Sequence, residues 1–236
     1  MLYRFWESII APLFLLTKPK PLVEIGSREG KNTHKLLGYC QANGATLHVI
    51  DPVPLPDLPE WQRQYGQHLV FHQGRSLDVL PTIAQYDAVL IDGDHNWYTV
   101  YHELLLIENH AHEEHFPLVL LHDTDWPYAR RDTYDDPTMI PAQYCHPYAR
   151  KGVFPTEREL SGQKGLNPHC WHALGEGSPK NGVRTAIEDF LQSGRTPLRF
   201  IHIPGLHGLG ILLSEELLRH HPDLQNLLTS ISLSSP

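Results

Sequence analysis

The sequence predicts an α/β fold, a doubly wound sheet of about seven strands, mostly parallel, with an antiparallel strand in a C-terminal hairpin. Three observations predict it. Short apolar runs ending in glycine or aspartate alternate with helical stretches through the first half of the chain. Runs of that kind, bounded by turn residues, read as buried parallel strands with crossover helices. Near the C-terminus two further runs are separated by a short turn containing Pro204-Gly205, so they can pair as a hairpin.

The elements follow in order. Leu2 to Leu16 is apolar but holds Arg4, Glu7 and Pro12, and is too short to span a bilayer. No small-residue cleavage site follows it, which argues against a signal peptide. Residues 1–20 therefore read as a docking helix and a Thr17-Lys18-Pro19-Lys20-Pro21 linker, covered by the domain or by a second subunit. A homo-oligomer through this helix is the corresponding expectation.

Pro21–Ile25 is the first strand, followed by a helix over Lys31–Ala42. Thr46–Ile50, His68–Phe71, Tyr86–Ile91 and Pro117–Leu121 are the next four strands, with a helix over Trp97–His110. Regularity breaks at about 125–179, where proline, glycine, aromatic residues and histidine accumulate. So long an irregular stretch inside a compact domain predicts a functional insertion such as a lid. Asn181 caps a helix running to about Gln192, and Leu198–Ile203 and Leu209–Leu213 form the hairpin. One domain over 21–228 results, with 229–236 as a loose tail.

Composition narrows the partners. The chain has 236 residues and a net charge of -8, from 27 acidic and 19 basic side chains. Neither nucleic acid nor an anionic membrane attracts such a surface. Three cysteines, Cys40, Cys145 and Cys170, without C-x-x-C spacing suit a reduced, cytoplasmic protein. The 17 histidines are harder to read. His34, His48, His110, His112, His115, His220 and His221 show no partner pattern. His169-Cys170-Trp171-His172 lacks the second pair that a zinc finger requires.

The chemistry gathers at strand ends. Glu24-Ile-Gly26-Ser27-Arg-Glu-Gly30 is a glycine-bearing strand-to-helix turn, where backbone N–H groups are open to a ligand. Its G-x-x-x-G spacing is not the G-x-G-x-x-G of dinucleotide binders. Asp51, at the end of the second strand, is placed to accept from ribose hydroxyls, or merely opens the turn with Pro52. The turn Gly74-Arg75-Ser76 after the third strand offers polar groups to an adenine edge.

The fourth strand exits into Asp92-Gly93-Asp94-His95 and the fifth into His122-Asp123-Thr124. Carboxyl ends of neighbouring parallel strands converge on one crevice. Asp92, His122 and Asp123 there form a candidate divalent-cation site with His95 beside it as proton acceptor. Oxygen-rich ligation suits Mg²⁺, and histidine in the shell shifts preference towards Mn²⁺, Fe²⁺ or Zn²⁺. Helix caps and turn acids are the bland alternative. In the insertion, Trp126, Arg130 and Arg131 could stack on and pair with a substrate. Equally, Trp126 and Tyr128 could pack beneath the insertion while the arginines pair with Asp132, Asp135 or Asp136.

Taken together, Val23–Gly30, Asp51, Gly74–Ser76 with Leu80-Pro81, Asp87–His95 and Leu121–Thr124 resemble the class I S-adenosylmethionine-dependent methyltransferases. More narrowly they are similar to a small-molecule O-methyltransferase branch with an Asp-Gly-Asp-His signature, which includes sugar-modifying and macrolide-tailoring enzymes. The resemblance implies a Rossmann-like fold and S-adenosylmethionine as cofactor. It places Gly26, Ser27 and Gly30 against the methionine part, Glu24 near its amino end, Asp51 on the ribose, and Gly74 and Ser76 near the adenine. Asp92 borders the cofactor and, with Asp123, matches metal ligands of metal-dependent members. His122 and Thr124 stand where relatives carry a further carboxylate or amide. His95 matches the general base of similar sugar O-methyltransferases. The implied reaction is methyl transfer to a hydroxyl of a small molecule, assisted by Mg or Mn. A metal-independent N-methyltransferase and a non-catalytic nucleoside-binding module remain the alternatives.

Overall fold

The computed structural model describes residues 1–111, 116–155, 157–162 and 164–234. Histidines 112 and 115 lie outside the described residues. Seven strands form the main sheet: β1 (Leu22–Ile25), β2 (Leu47–Asp51), β3 (Leu69–Gln73), β4 (Ala88–Ile91), β5 (Leu118–His122), and the C-terminal pair Leu198–Ile203 and Leu209–Ser214. Between β5 and that pair come five short strands, β6 (Thr133–Tyr134), β7 (Tyr148–Arg150), β8 (Gly152–Phe154), β9 (Glu157–Ser161) and β10 (Trp171–Ala173), so the pair is β11 and β12.

The sheet order is β11-β12-β5-β4-β1-β2-β3. Strands β1 to β5 are mutually parallel, and β12 runs antiparallel to both β5 and β11. Parallel neighbours must be joined by crossovers. These are α2 (Lys31–Asn43), α3 (Leu58–Tyr65), α4 (Ser76–Val79) and α5 (Trp97–His110), with α6 (Val183–Ser193) leading into β11. An N-terminal helix, α1 (Ala11–Thr17), precedes them, and α7 (Glu215–His220) and α8 (Pro222–Ser234) close the chain. The four central strands bury every residue except His48, because apolar layers cover both faces. One layer holds α2, α8 and the N-terminal arm, and the other holds α5 and α6.

The two chain ends revise expectations together. The arm is a 3₁₀ turn (Leu2–Phe5), a π-helical turn (Trp6–Ile10) and α1, and it buries Leu2, Ile10, Leu13 and Phe14 completely or nearly so against its own domain. The apolar face that suggested an oligomer is thus covered within the chain. The loose tail expected over 229–236 is helical to Ser234, because Leu224, Leu228 and Ile231 share one helical face and pack into the same cluster. Among the described residues, no helix is long and apolar enough to cross a membrane.

The insertion is not structureless. Strands β6, β10 and β7 form one small antiparallel sheet and β8 with β9 another. Asn181 does not cap α6, whose first turn follows Gly182. Its amide oxygen instead accepts from the Asp132 N–H at 2.6 Å, and its amide nitrogen donates to the Gly175 carbonyl.

Candidate active site

The exits of β1, β2, β4 and β5 lie at one edge of the sheet. Gly26 leaves β1 with φ +84°, and a Cβ there would fall 2.4 Å from the Asp92 carbonyl oxygen. The glycine therefore lets the β1 turn pass against the backbone leaving β4. Gly30, at φ +76°, faces the Trp61 indole, where a Cβ would fall 2.8 Å away. Both glycines are demanded by packing inside the chain as well as by any ligand.

Asp51 closes this turn. Its Oδ2 accepts from the Ser27 N–H at 2.7 Å, the Ser27 hydroxyl at 2.9 Å and the Arg28 N–H at 3.2 Å. Among the described residues its Oδ1 accepts only from the Val53 N–H, at 2.9 Å, leaving acceptor capacity on that oxygen. Glu24 is fully buried beneath the turn, and burial pushes its carboxyl up to about 7. The Asn32 amide donates to its Oε1 at 2.8 Å and the Thr33 hydroxyl lies close enough to lower it, while among the described residues Asn32 Oδ1 has no hydrogen-bond partner and Glu24 Oε2 accepts no well-aligned one. A buried group of open acceptors suits an ammonium. Asn32 and Thr33 escaped the sequence reading because nothing in the first turn of a helix distinguishes a site residue from a solvated one.

Beyond β3, Gly74 N–H donates to the Asp51 carbonyl at 3.2 Å, joining the two turns. Ser76 is buried at the start of α4 and faces Glu103 of α5. Glu103 was not foreseen, since a glutamate in a helical stretch reads as surface. It is fully buried, and burial pushes it up to about 8 against the opposing pull of the Ser76 hydroxyl. Asp94 is raised to about 6 by burial and by Asp135.

Four side chains meet at the exits of β4 and β5. Metal-donor atoms of Asp92, His95, His122 and Asp123 all lie within 4.8 Å of one another. His95 Nε2 is 2.8 Å from Asp123 Oδ2 and 3.4 Å from Asp92 Oδ1. His122 Nδ1 is 2.6 Å from Asp123 Oδ2 and 3.3 Å from Asp92 Oδ1. Asp123 occupies the left-handed region, at φ +58°, a strained conformation for a side-chain-bearing residue that persists only where its surroundings hold it.

Burial alone would raise both carboxyls, but the two imidazoles outweigh it and hold Asp92 and Asp123 well below the ordinary carboxylate range. Conversely, burial opposes a charged imidazole, and the carboxylates overcome it. His122 is raised to about 9 and His95 well above its ordinary value. The amino group of Met1 lies 3.6 Å from Asp92 Oδ2 and 2.9 Å from His122 Nδ1, and also touches His122 Nε2. The crevice thus draws positive charge. Two carboxylates and two imidazoles at this separation also form a donor set that fits a divalent cation.

The substrate-facing candidates divide. Tyr128 lies over His95 with ring centroids 5.5 Å apart, and Trp126 stays partly exposed just past β5. The arginines turn away, and neither pairs with Asp132, Asp135 or Asp136. Arg130 makes a two-pronged bond to Glu188 of α6, at 2.6 and 2.7 Å. Arg131 is 2% exposed and spends its guanidinium on the carbonyls of Ala173, Leu174, Gly175 and Arg158 and on Glu176. Arg131 is thus a buried strut not available to a substrate, whereas Arg130 is partly exposed and held by Glu188.

Residues 23–124 match the family model of a methyltransferase domain. No curated protein matches the chain. Among solved structures, a caffeoyl-CoA O-methyltransferase assigned in Staphylococcus aureus shares 10% identity, with 87% of this chain and 81% of that one covered and a TM-score of 0.51. An O-methyltransferase assigned in Nostoc punctiforme shares 14% identity over 91% of this chain, with a TM-score of 0.52; the match spans 57% of that longer protein. A Podospora anserina methyltransferase bound to S-adenosylhomocysteine shares 13% identity, covering 86% and 76% of the two chains, with a TM-score of 0.49. At such identities the first two likenesses show the fold alone.

Proposed function

We propose that this chain is an S-adenosylmethionine-dependent methyltransferase that methylates a hydroxyl of a small molecule with the help of a divalent cation. The observation that carries this reading is the meeting of Asp92, His95, His122 and Asp123 beside the turn joined by Gly26 and Asp51. The acceptor class is a hydroxylated molecule such as a sugar or a natural-product intermediate.

The residues at the β1 and β2 exits fit the cofactor. Asp51 Oδ1 has room for a ribose hydroxyl. The open acceptors of Glu24 and Asn32 match the methionyl ammonium, and Ser76 and Gly74 border the adenine side. Asp92, His122 and Asp123 would hold the cation. When bound, it supplies the positive charge that lowers the pKa of a substrate hydroxyl.

The protein's own work is alignment and proton removal, since the sulfonium is already reactive. Asp92 and Asp123 hold His95 protonated when they are free; with those carboxylates taken up by the cation, a neutral His95 would accept the hydroxyl proton at Nε2, the atom directed between them. Tyr128 lies against that ring, with centroids 5.5 Å apart. Alignment and base catalysis together supply on the order of 10 kcal/mol.

Calorimetry with S-adenosylmethionine, with and without Mn²⁺ or Mg²⁺, tests the reading. Binding of the cofactor is expected, and no heat in either condition refutes it. Activity on a hydroxylated acceptor should vanish in EDTA and return with Mn²⁺ or Mg²⁺. Full activity in EDTA would favour a metal-independent N-methyltransferase.

A further inference from the structure

We infer that Tyr128 is a positioning residue for His95, clamped by the insertion through its hydroxyl so that its ring keeps the imidazole directed at Asp92 and Asp123. The inference rests on the proposed role of His95 as the base and deepens it.

The His95 ring needs such support. Its backbone is tied, since its carbonyl accepts from the Thr133 N–H at 3.2 Å. The outer torsion of an imidazole is broad, however, so bonds or packing must set the direction of the ring. Its Nε2 lies 2.8 Å from Asp123 and 3.4 Å from Asp92. Those two carboxylates are the ones a cation would take up, and the ring then loses both partners. Among the described residues one aromatic ring is packed against it, the phenol of Tyr128, with centroids 5.5 Å apart and planes tilted by 32°.

The phenol is itself gripped. Tyr128 is buried, and its backbone carbonyl accepts from the Val183 N–H at the start of α6, at 2.9 Å. Its hydroxyl accepts from the Asn167 amide at 2.7 Å and meets His172 Nε2 at 3.3 Å. His172 Nδ1 lies 2.6 Å from the Lys151 carbonyl, which only accepts, so Nδ1 carries the hydrogen. Burial holds this imidazole below its ordinary value and so neutral, which leaves Nε2 to accept from the Tyr128 hydroxyl. The two rings stack, with centroids 5.7 Å and planes 19° apart. With its one hydrogen spent on His172, and with burial pushing the phenol well above its ordinary value, Tyr128 is not a second base. Its part is that of a wall.

Both jaws of the clamp are fixed in the insertion. His172 is fully buried on the central strand of the β6-β10-β7 sheet, paired with Thr133 on one side and Ala149 on the other. Asn167 has a φ of +50°, a left-handed conformation that asparagine adopts more readily than most residues. The Cys170 N–H closes a turn onto the Asn167 carbonyl at 3.0 Å, and the preceding Leu166 is bonded both ways to Val153, at 2.9 and 3.1 Å. A strained residue persists only where its surroundings hold it in this manner.

The test reads the His95 ring itself, by nuclear magnetic resonance of the full chain labelled at its histidine ring carbons. The His95 signal is identified by its loss in His95→Gln. A proton held against an aromatic ring is displaced by the ring current, and a ring kept in one orientation gives one narrow line. Tyr128→Leu should abolish that displacement. Tyr128→Phe keeps the ring but drops both hydroxyl bonds, and Asn167→Gly drops one of them at a position where glycine accepts the positive φ. Both should broaden the His95 line or move it towards its place in Tyr128→Leu, the first variant more than the second. Thermal unfolding and the His220 signal, on α7, check the fold of each variant. A merely structural role would lower the melting temperature and leave the His95 line where it was. A His95 line unchanged in position and width in folded Tyr128→Phe and Asn167→Gly overturns the inference. If the line moves as expected but wild type binds no S-adenosylmethionine in calorimetry, the methyltransferase reading alone is overturned.

Discussion

Glu103 makes a quantitative test of the buried polar groups around the site. It is fully buried on α5, and its carboxyl is displaced from 4.5 to about 8. The cause is loss of hydration, with Ser76 opposing it and Asp94 adding to it. A carboxyl raised on folding binds its proton more tightly in the native state than in the unfolded one. Its contribution is therefore fully present below pH 4.5 and is lost as the pH rises through 8. At roughly 1.4 kcal/mol per pH unit, the loss between pH 5 and pH 9 is about 4 kcal/mol. Glu103→Gln keeps the shape and removes the titration. Its own unpaired amide costs about 1–3 kcal/mol, but by the same amount at every pH. Glu24 and Asp94, raised to about 7 and 6, titrate in both proteins and cancel in the comparison. Urea unfolding at pH 5, 7 and 9 should show wild-type stability falling more steeply, with the gap between the proteins changing by about 4 kcal/mol. Parallel curves would refute the reasoning and mean that Glu103 is ionised in the folded protein.

Three further outcomes follow. His95→Ala should lower turnover by about 10²–10⁴ while cofactor binding measured by calorimetry stays intact; an unaltered rate removes His95 as the base. Asp51→Ala should weaken S-adenosylmethionine binding by about tenfold or more, because a ribose partner and the closure of the Ser27 turn go together; equal affinity would detach Asp51 from the cofactor. Arg131→Ala should cost about 3 kcal/mol or more in urea unfolding, since it strips buried carbonyls of their donor, whereas Arg131→Lys should recover part of that loss. A raised KM with unchanged stability would instead return Arg131 to the substrate.

The strands were legible because a buried parallel strand needs little more than an apolar run and a turn residue. Leu198–Ile203 coincides with the expectation, and β1, β2, β4 and β5 differ from it by one or two residues at an end. The candidate metal cluster was legible for a related reason. Strand exits share one sheet edge, so Asp92 and His95 had to approach His122 and Asp123. The chain ends were not, because each depends on the other. Serine-rich 229–236 looks loose until Leu224, Leu228 and Ile231 find the apolar N-terminal arm, and that arm looks like an interface until α8 covers it. Asn181 was misread for want of the same information. A capping residue type before a helix is a local signal, whereas its bond to Asp132 joins positions 49 residues apart.

The insertion had to be seen to be understood, and Asp132 explains what it became. This fully buried carboxylate accepts from the Trp97 N–H at the start of α5, the Gly182 N–H at the start of α6 and the Tyr134 hydroxyl of β6, at 2.8, 2.6 and 2.9 Å. Its N–H is held by Asn181, and the next residue, Thr133, donates to the His95 carbonyl. Opening the insertion as a flap would break these bonds together and strand a buried carboxylate, a change costing several kcal/mol. These bonds fasten the start of the segment beside His95, and we propose that it acts as a fixed wall there. On that proposal, acceptor choice rests on the shape offered by Tyr128 and Trp126 and on the direction of the His95 ring.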